Sequence, residues 1–297
     1  MKERIPRSFL FEVRRKLSSQ NFFKVRLGTM SKPQILLTND DGIRSPGLWA
    51  AAASLSNLGY VTVTAPREQS SGAGRSLPNT SDGIIREERL EIKGQEWSVF
   101  AVGGSPAQSV LHGVYEVLKR KPDLVVSGIN YGENVASGVT ISGTVGAALE
   151  AASLGIPAMA VSLEADPKYH LSYSDDVNFL AAADFTARIA SLLLKKEFPA
   201  DVNMLKVDVP SNATLETPWQ LTRVSSQRYY EPIAPIRKSW DVPGVMGYRE
   251  AGILNNEAEN TDVYALRVKR VVSVSPLSLD LTSRVDFDEL NKLMREG

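Results

Sequence analysis

Gln34-Ile35-Leu36-Leu37-Thr38-Asn39-Asp40-Asp41-Gly42 is the stretch on which the fold turns. Three consecutive aliphatic residues with no polar alternation read as a short strand covered on both faces, the kind found in parallel sheets. The Asn-Asp-Asp-Gly that follows is a turn, so the chain leaves the sheet there with two adjacent carboxylates at the strand's carboxyl end. Working outward, similar runs occur at 60–65, 124–127, 158–162 and 204–209. Segments with helical periodicity and suitable starting residues lie between them at 46–58, 106–118, 143–154 and 175–195. A β-rich interlude at 84–102 turns at Gly94-Gln95 as a hairpin.

This alternation predicts an α/β protein with a Rossmann-like, mostly parallel sheet flanked by helices. Beyond residue 210 the order weakens, with several prolines, a Val-rich strand expected at 265–274 and a short helix at 286–295. The expected organisation is a basic leader over 1–33, a catalytic domain over 34–210 and a smaller β-rich extension over 211–297. That extension carries the last strands.

Composition narrows the chemistry. The 297 residues contain 34 basic and 34 acidic side chains, so no global positive field recruits nucleic acid, and stable nucleic-acid binding is not expected. No run of apolar residues is long enough to span a bilayer. Cysteine is absent and histidine occurs only at His112 and His170, which removes disulfides, thiolate catalysis and Cys-rich zinc sites. A metal bound here is therefore a hard cation on oxygen ligands, with Mg²⁺, Mn²⁺ or Ca²⁺ the candidates. His112 falls among apolar residues and His170 in a polar loop, and neither reads as a catalyst. The first thirty residues carry eight basic side chains against Glu3 and Glu12, a local charge of +6. They read as a flexible tail or as an upstream start with Met30 as the true beginning, in a cytoplasmic protein. Organellar import by this leader is the alternative reading.

Polar residues gather where strands end, which is where open parallel sheets bind ligands. The first strand leads into Asn39-Asp40-Asp41-Gly42. The second leads into 65–74, with Ser70, Ser71, Gly72 and Gly74, and the third into Asn130, Gly132 and Asn134. Ser142-Gly143-Thr144 then opens a helix, whose free N–H groups favour a phosphate. Each element has an ordinary reading as well: Asp-Asp-Gly as a turn, the Ser-Gly run as a connector, Ser142 as an N-cap. Together they supply what a hard cation and a phosphate ester both require.

These residues resemble the opening signature of the SurE family (survival protein E) of 5′/3′-nucleotidases. The resemblance continues through Ser45-Pro46-Gly47, Ser71-Gly72-Ala73, Ser127 to Asn130, Ser142 to Val145, Gly155-Ile156-Pro157, Val209-Pro210, Thr261-Asp262 and Val274 to Leu277. It implies one divalent cation per subunit, Mg²⁺ or Mn²⁺, held by Asp40, Asp41, Ser71 and Asn130. Asp40 and Asp41 are then the catalytic residues, with Asn39, Asn134, Ser142, Gly143 and Thr144 around the substrate phosphate. The implied reaction is hydrolysis of nucleoside 5′- and 3′-monophosphates by metal-activated water, in a homodimer or homotetramer for which the resemblance implies contacts through the 211–297 extension. The chain departs from the family pattern at Ser137-Gly138, where some relatives carry an acidic pair, and at Trp240 to Gly244. Two rivals are a nucleotide sensor without turnover and a phosphatase with a covalent aspartate. The second needs two Asp separated by one residue, whereas here they are adjacent.

Overall fold

Ile35, Leu36 and Leu37 are fully buried because β1 (Gln34–Thr38) lies in the interior of the sheet with helices on both sides. The computed structural model describes residues 32–296 apart from 93, 175 and 253–255, so the readings made of the basic leader lie outside the described residues. β1 pairs in parallel with β2 (Tyr60–Pro66) on one side and with β5 (Leu124–Tyr131) on the other. From β2 the sheet continues to β4 (Gln95–Val102), again in parallel, and ends at β3 (Ile85–Ile92), antiparallel to β4. The expected hairpin is thus present, and its second strand is built into the main sheet. From β5 the sheet continues in parallel to β6 (Ala158–Leu163) and β7 (Met204–Val209).

The C-terminal segment contributes in two ways. β11 (Val272–Leu277) runs antiparallel to β7, and β8 (Trp219–Leu221) pairs with β11 at the far edge. β9 (Tyr230–Ile233) and β10 (Gly247–Glu250) form a separate antiparallel pair. Part of the extension therefore completes the main sheet, while part stands beside it.

Alternate side chains of each central strand serve opposite layers, as the two-residue period of a strand requires. Ile35, Leu37 and Val126 meet α1 (Pro46–Leu55) and α4 (Leu180–Lys195) through Leu48, Leu55, Phe185 and Ile189. Leu36 and Val125 meet α2 (Pro106–His112) and α3 (Gly143–Ser153) through Val110, Val145 and Ala148.

One expected element is corrected. Residues 265–269, expected as the start of a strand, wind as a helical turn, Arg270 adopts a left-handed φ of 54°, and the strand begins only at Val272. Short apolar runs carry no period that separates helix from strand. Here the Thr261 hydroxyl accepts the Tyr264 N–H at 3.3 Å and starts a helix that the run then follows.

The first helix passes so close to β5 that it admits no side chain at Gly47. A Cβ there would lie 2.1 Å from the Ile129 carbonyl oxygen, which is main chain and cannot swing aside. Gly47→Ala is expected to cost about 1–3 kcal/mol through this overlap. A lower urea midpoint at unchanged slope will report the loss; an unchanged midpoint would show that α1 and β5 part freely.

Candidate functional site

After β1 the chain crosses to β2 on one side, and after β5 it crosses to β6 on the other. Between the carboxyl ends of β1 and β5 the connections diverge and leave a crevice, the usual ligand position in an open α/β sheet. The loop after β1 turns into it. Asn39 fastens that turn, its amide donating to the Gly42 carbonyl at 3.0 Å and its oxygen accepting the Gly42 N–H at 3.2 Å. Gly42 takes a φ of 96°, open to glycine and strained for other residues. The Ser70 N–H donates to the Asp40 carbonyl at 2.7 Å and the Tyr173 hydroxyl to the Asp41 carbonyl at 2.8 Å, pinning the loop from outside.

The two carboxylates are 4% and 2% exposed. Thr144 donates its hydroxyl to Asp40 Oδ1, and the N–H groups of Gly143 and Thr144 at the start of α3 also favour that carboxylate. Gly143 is required by this approach, since a Cβ there would lie 2.7 Å from the Asp40 Cβ. Asp41 accepts the Tyr131 N–H at 3.3 Å and the Gln69 amide at 3.3 Å. Burial pushes the Asp40 carboxyl above the usual carboxylate range despite its hydrogen bonds. Burial, and then the charge of Asp40, push Asp41 well above it. Among the described residues no Lys or Arg acts on either group.

Ser71 is linked to Asp41 through Gln69, and Asn130 adjoins Tyr131, whose N–H serves Asp41. One Gln69 amide nitrogen donates to Asp41, to the Ser71 hydroxyl at 3.0 Å and to the His170 carbonyl at 2.7 Å. Asn130 precedes Tyr131, and its nitrogen is spent on the carbonyls of Tyr131 at 3.2 Å and Gly132 at 2.8 Å. Its side-chain oxygen takes no part in those bonds. Two carboxylates, a neutral hydroxyl and an amide oxygen are the kinds of donor that a hard cation takes. Among the described residues no group of three or more His, Cys, Asp or Glu is placed to hold a metal ion.

The remaining sequence candidates divide. Ser142 caps α3, its hydroxyl accepting the Val145 N–H at 3.1 Å, and Gly143 and Thr144 face Asp40. Asn134 is tied elsewhere, by its N–H to Asp208 at 2.8 Å and by its amide to Ser162 at 2.8 Å, each at the end of a neighbouring strand.

Comparison with known proteins follows the same lines. The model of the survival protein SurE family matches residues 35–231. The chain belongs to the SurE family. A protein named 5'-nucleotidase SurE from Thermococcus gammatolerans is 42% identical over 88% of this chain and 96% of its own length. One of the same name from Methanosarcina mazei is 40% identical over 90% of this chain and all of its own. The crystal structure of the SurE protein from Aquifex aeolicus is 31% identical, with a TM-score of 0.69 over 88% of this chain and all of that one.

Within this SurE chain, sequence reasoning passed over Gln69, Tyr173 and the carbonyl of His170. Gln69 sits inside the singled-out loop, but nothing local marks it as the residue that bridges three others. His112 pairs with Glu116 at 2.5 Å rather than with the site, and the His170 imidazole lies against Gly132, with burial pushing its pKa down.

Two buried carboxylates without a positive partner make a cation-free site costly. Asp41 holds its proton to higher pH in the folded chain than in the unfolded one, so the folded state binds more protons. Stability without cation therefore falls as pH rises above the usual carboxylate range. Asp41→Asn in chelator at pH 7.5 is expected to melt above the parent protein, by about 2–4 °C per kcal/mol relieved. The difference should shrink as the pH is lowered toward about 4. Thermal melts in EDTA across this range test it, and a lower melting point for the variant at neutral pH would overturn it.

Proposed function

We propose that this chain is a divalent-cation-dependent phosphomonoesterase that hydrolyses nucleoside 5′- and 3′-monophosphates to nucleoside and phosphate. One observation carries the reading: adjacent, buried carboxylates with no cationic partner, placed in the crevice between β1 and β5 of a SurE-family chain. The oxygens of Asp40, Asp41, Ser71 and Asn130 fit Mg²⁺ or Mn²⁺, with Ca²⁺ the alternative. A cation of this kind, when bound, supplies a more acidic water and offsets negative charge on phosphoryl oxygens.

The protein's own groups do the rest. Asp40 and Asp41 bring two negative charges to one point, oriented by Thr144 and by Tyr131 with Gln69. Gly143 and Thr144 turn the start of α3 toward the same point, where main-chain N–H groups also favour a phosphate. Asn134 takes a place at the substrate phosphate on the family resemblance, held by Ser162, and Asn39 contributes by holding the turn in shape. The low exposure of the carboxylates removes competing water, which strengthens every charge interaction in the crevice. The chain works as a homodimer or homotetramer through its C-terminal extension, in the cytoplasm. No described helix is long and apolar enough to cross a membrane.

Phosphate release from nucleoside 5′- and 3′-monophosphates is expected to stop in EDTA and to return with Mn²⁺ or Mg²⁺. Asp40→Asn and Asp41→Asn should each lower turnover by about 100-fold or more while remaining folded. Binding of nucleotide without release of phosphate would instead identify a sensor, and full turnover in chelator would remove the cation from the mechanism. Light scattering of the purified protein is expected to give a dimer or larger, and a strict monomer at micromolar concentration would refute the assembly.

A further inference from the structure

A lysine in the middle of a buried strand is out of place. Lys206 lies on β7, fully buried, with Asp208 two residues on and on the same face, while Val207 between them joins the opposite hydrophobic layer. Lys206 Nζ bonds Asp208 and lies 3.1 Å from Asp262, which is also fully buried and belongs to the Thr261-Asp262 pair singled out in the sequence. One positive and two negative charges leave an excess of one negative. Four main-chain N–H groups answer it: Asn134 to Asp208 at 2.8 Å, Ala136 to Asp262 at 3.1 Å, and Ser225 and Val263 to Asp262 at 2.9 Å each.

Buried ion clusters of this kind are commonly replaceable by apolar residues without loss of stability. What apolar residues cannot supply is a set of directed bonds to main-chain N–H groups. Two of the four belong to the loop at 134–136, and Ala136 there holds a φ of 54°, a conformation that strains a residue with a Cβ. The Ser162 hydroxyl accepts the Asn134 amide at 2.8 Å, so main chain and side chain are fixed from two strands at once.

We propose that Lys206, Asp208 and Asp262 are positioning residues that set the main chain at 134–136 and so aim Asn134 at the substrate phosphate. The inference rests on the reading of Asn134 as a phosphate-site residue. It makes Asp262, beyond the 35–231 stretch matched by the family model, a working part of the site.

The test compares Asp262→Asn, Asn134→Ala and the double variant with the parent protein, using adenosine 5′-monophosphate at saturating Mn²⁺. Asp262→Asn is expected to raise KM, and the inhibition constant of inorganic phosphate, by about tenfold, with the Mn²⁺ concentration for half activation unchanged. Once Asn134 is already alanine, Asp262→Asn should add less than about a twofold change, because its effect travels through that side chain. Independent, multiplying effects, or a folded Asp262→Asn with the parent KM, would overturn the proposal. Amide exchange of the parent protein gives a reading that needs neither turnover nor a folded variant. The Asn134 and Ala136 N–H groups should exchange as slowly as those of β6 and β7, and exchange as fast as an exposed turn refutes the clamp. If Asp262→Asn does not fold, Asp208→Asn, which keeps an oxygen for the Asn134 N–H, takes its place in the kinetic comparison. Loss of turnover in the parent protein would defeat the nucleotidase reading, while the exchange data would still decide the clamp.

Discussion

Two carboxylates on neighbouring residues, both shut away from water, repel each other and resist ionisation, and the chain around Asp40 and Asp41 is arranged about that difficulty. The turn is held by Asn39 and Gly42, and the start of α3 is brought in so that Thr144 and the nearby N–H groups serve Asp40. Tyr131 at the end of β5 and Gln69 in the loop after β2 serve Asp41. The helpers come from the connections after β1, after β2 and after β5, so the arrangement exists only once those strands lie side by side with α3 packed over them. Hydrogen bonds soften the cost of the buried charge without removing it. A divalent cation would remove it, which links the stability of the loop to the proposed chemistry.

The same molecule treats buried charge in a second way nearby. Lys206, Asp208 and Asp262 answer one another directly, and the remaining oxygens are used up on main-chain N–H groups. A third group, Glu164 with Arg267 and Arg270, ties the end of β6 to the helical turn before β11. Burial works to raise the glutamate carboxyl, but Arg270 and Ser211 hold it below its usual value. Self-compensated clusters hold parts of the frame together, whereas the Asp40 and Asp41 carboxyls have only hydrogen bonds to set against their burial.

The C-terminal segment is consequently more than an appendage. β11 closes the sheet against β7, Thr222 shares hydrogen bonds of 2.8 Å with both Ser273 and Ser275, and Asp262 reaches back to the loop that carries Asn134. Among the described residues, β9 and β10 alone form a separate sheet.

Much of this was legible from residue order alone. The aliphatic runs marked the five central parallel strands, because a strand covered on both faces needs no polar alternation. Asp40, Asp41 and Ser71 stood out by their place just after strands, Asn130 at the end of one, and Ser142 to Thr144 by opening a helix. The turn at 265–269 was not legible, since a short Val-rich run is compatible with helix or strand and the choice fell to a cap at Thr261. Nor was the work of Gln69, Asp208 or Asp262, whose partners lie far away in the sequence. Local pattern determines which residues form strands and which carry chemistry. Which of them meet is decided by the packing of the sheet, because a hydrogen bond depends on separation in space and direction, and neither is written in the order of the chain.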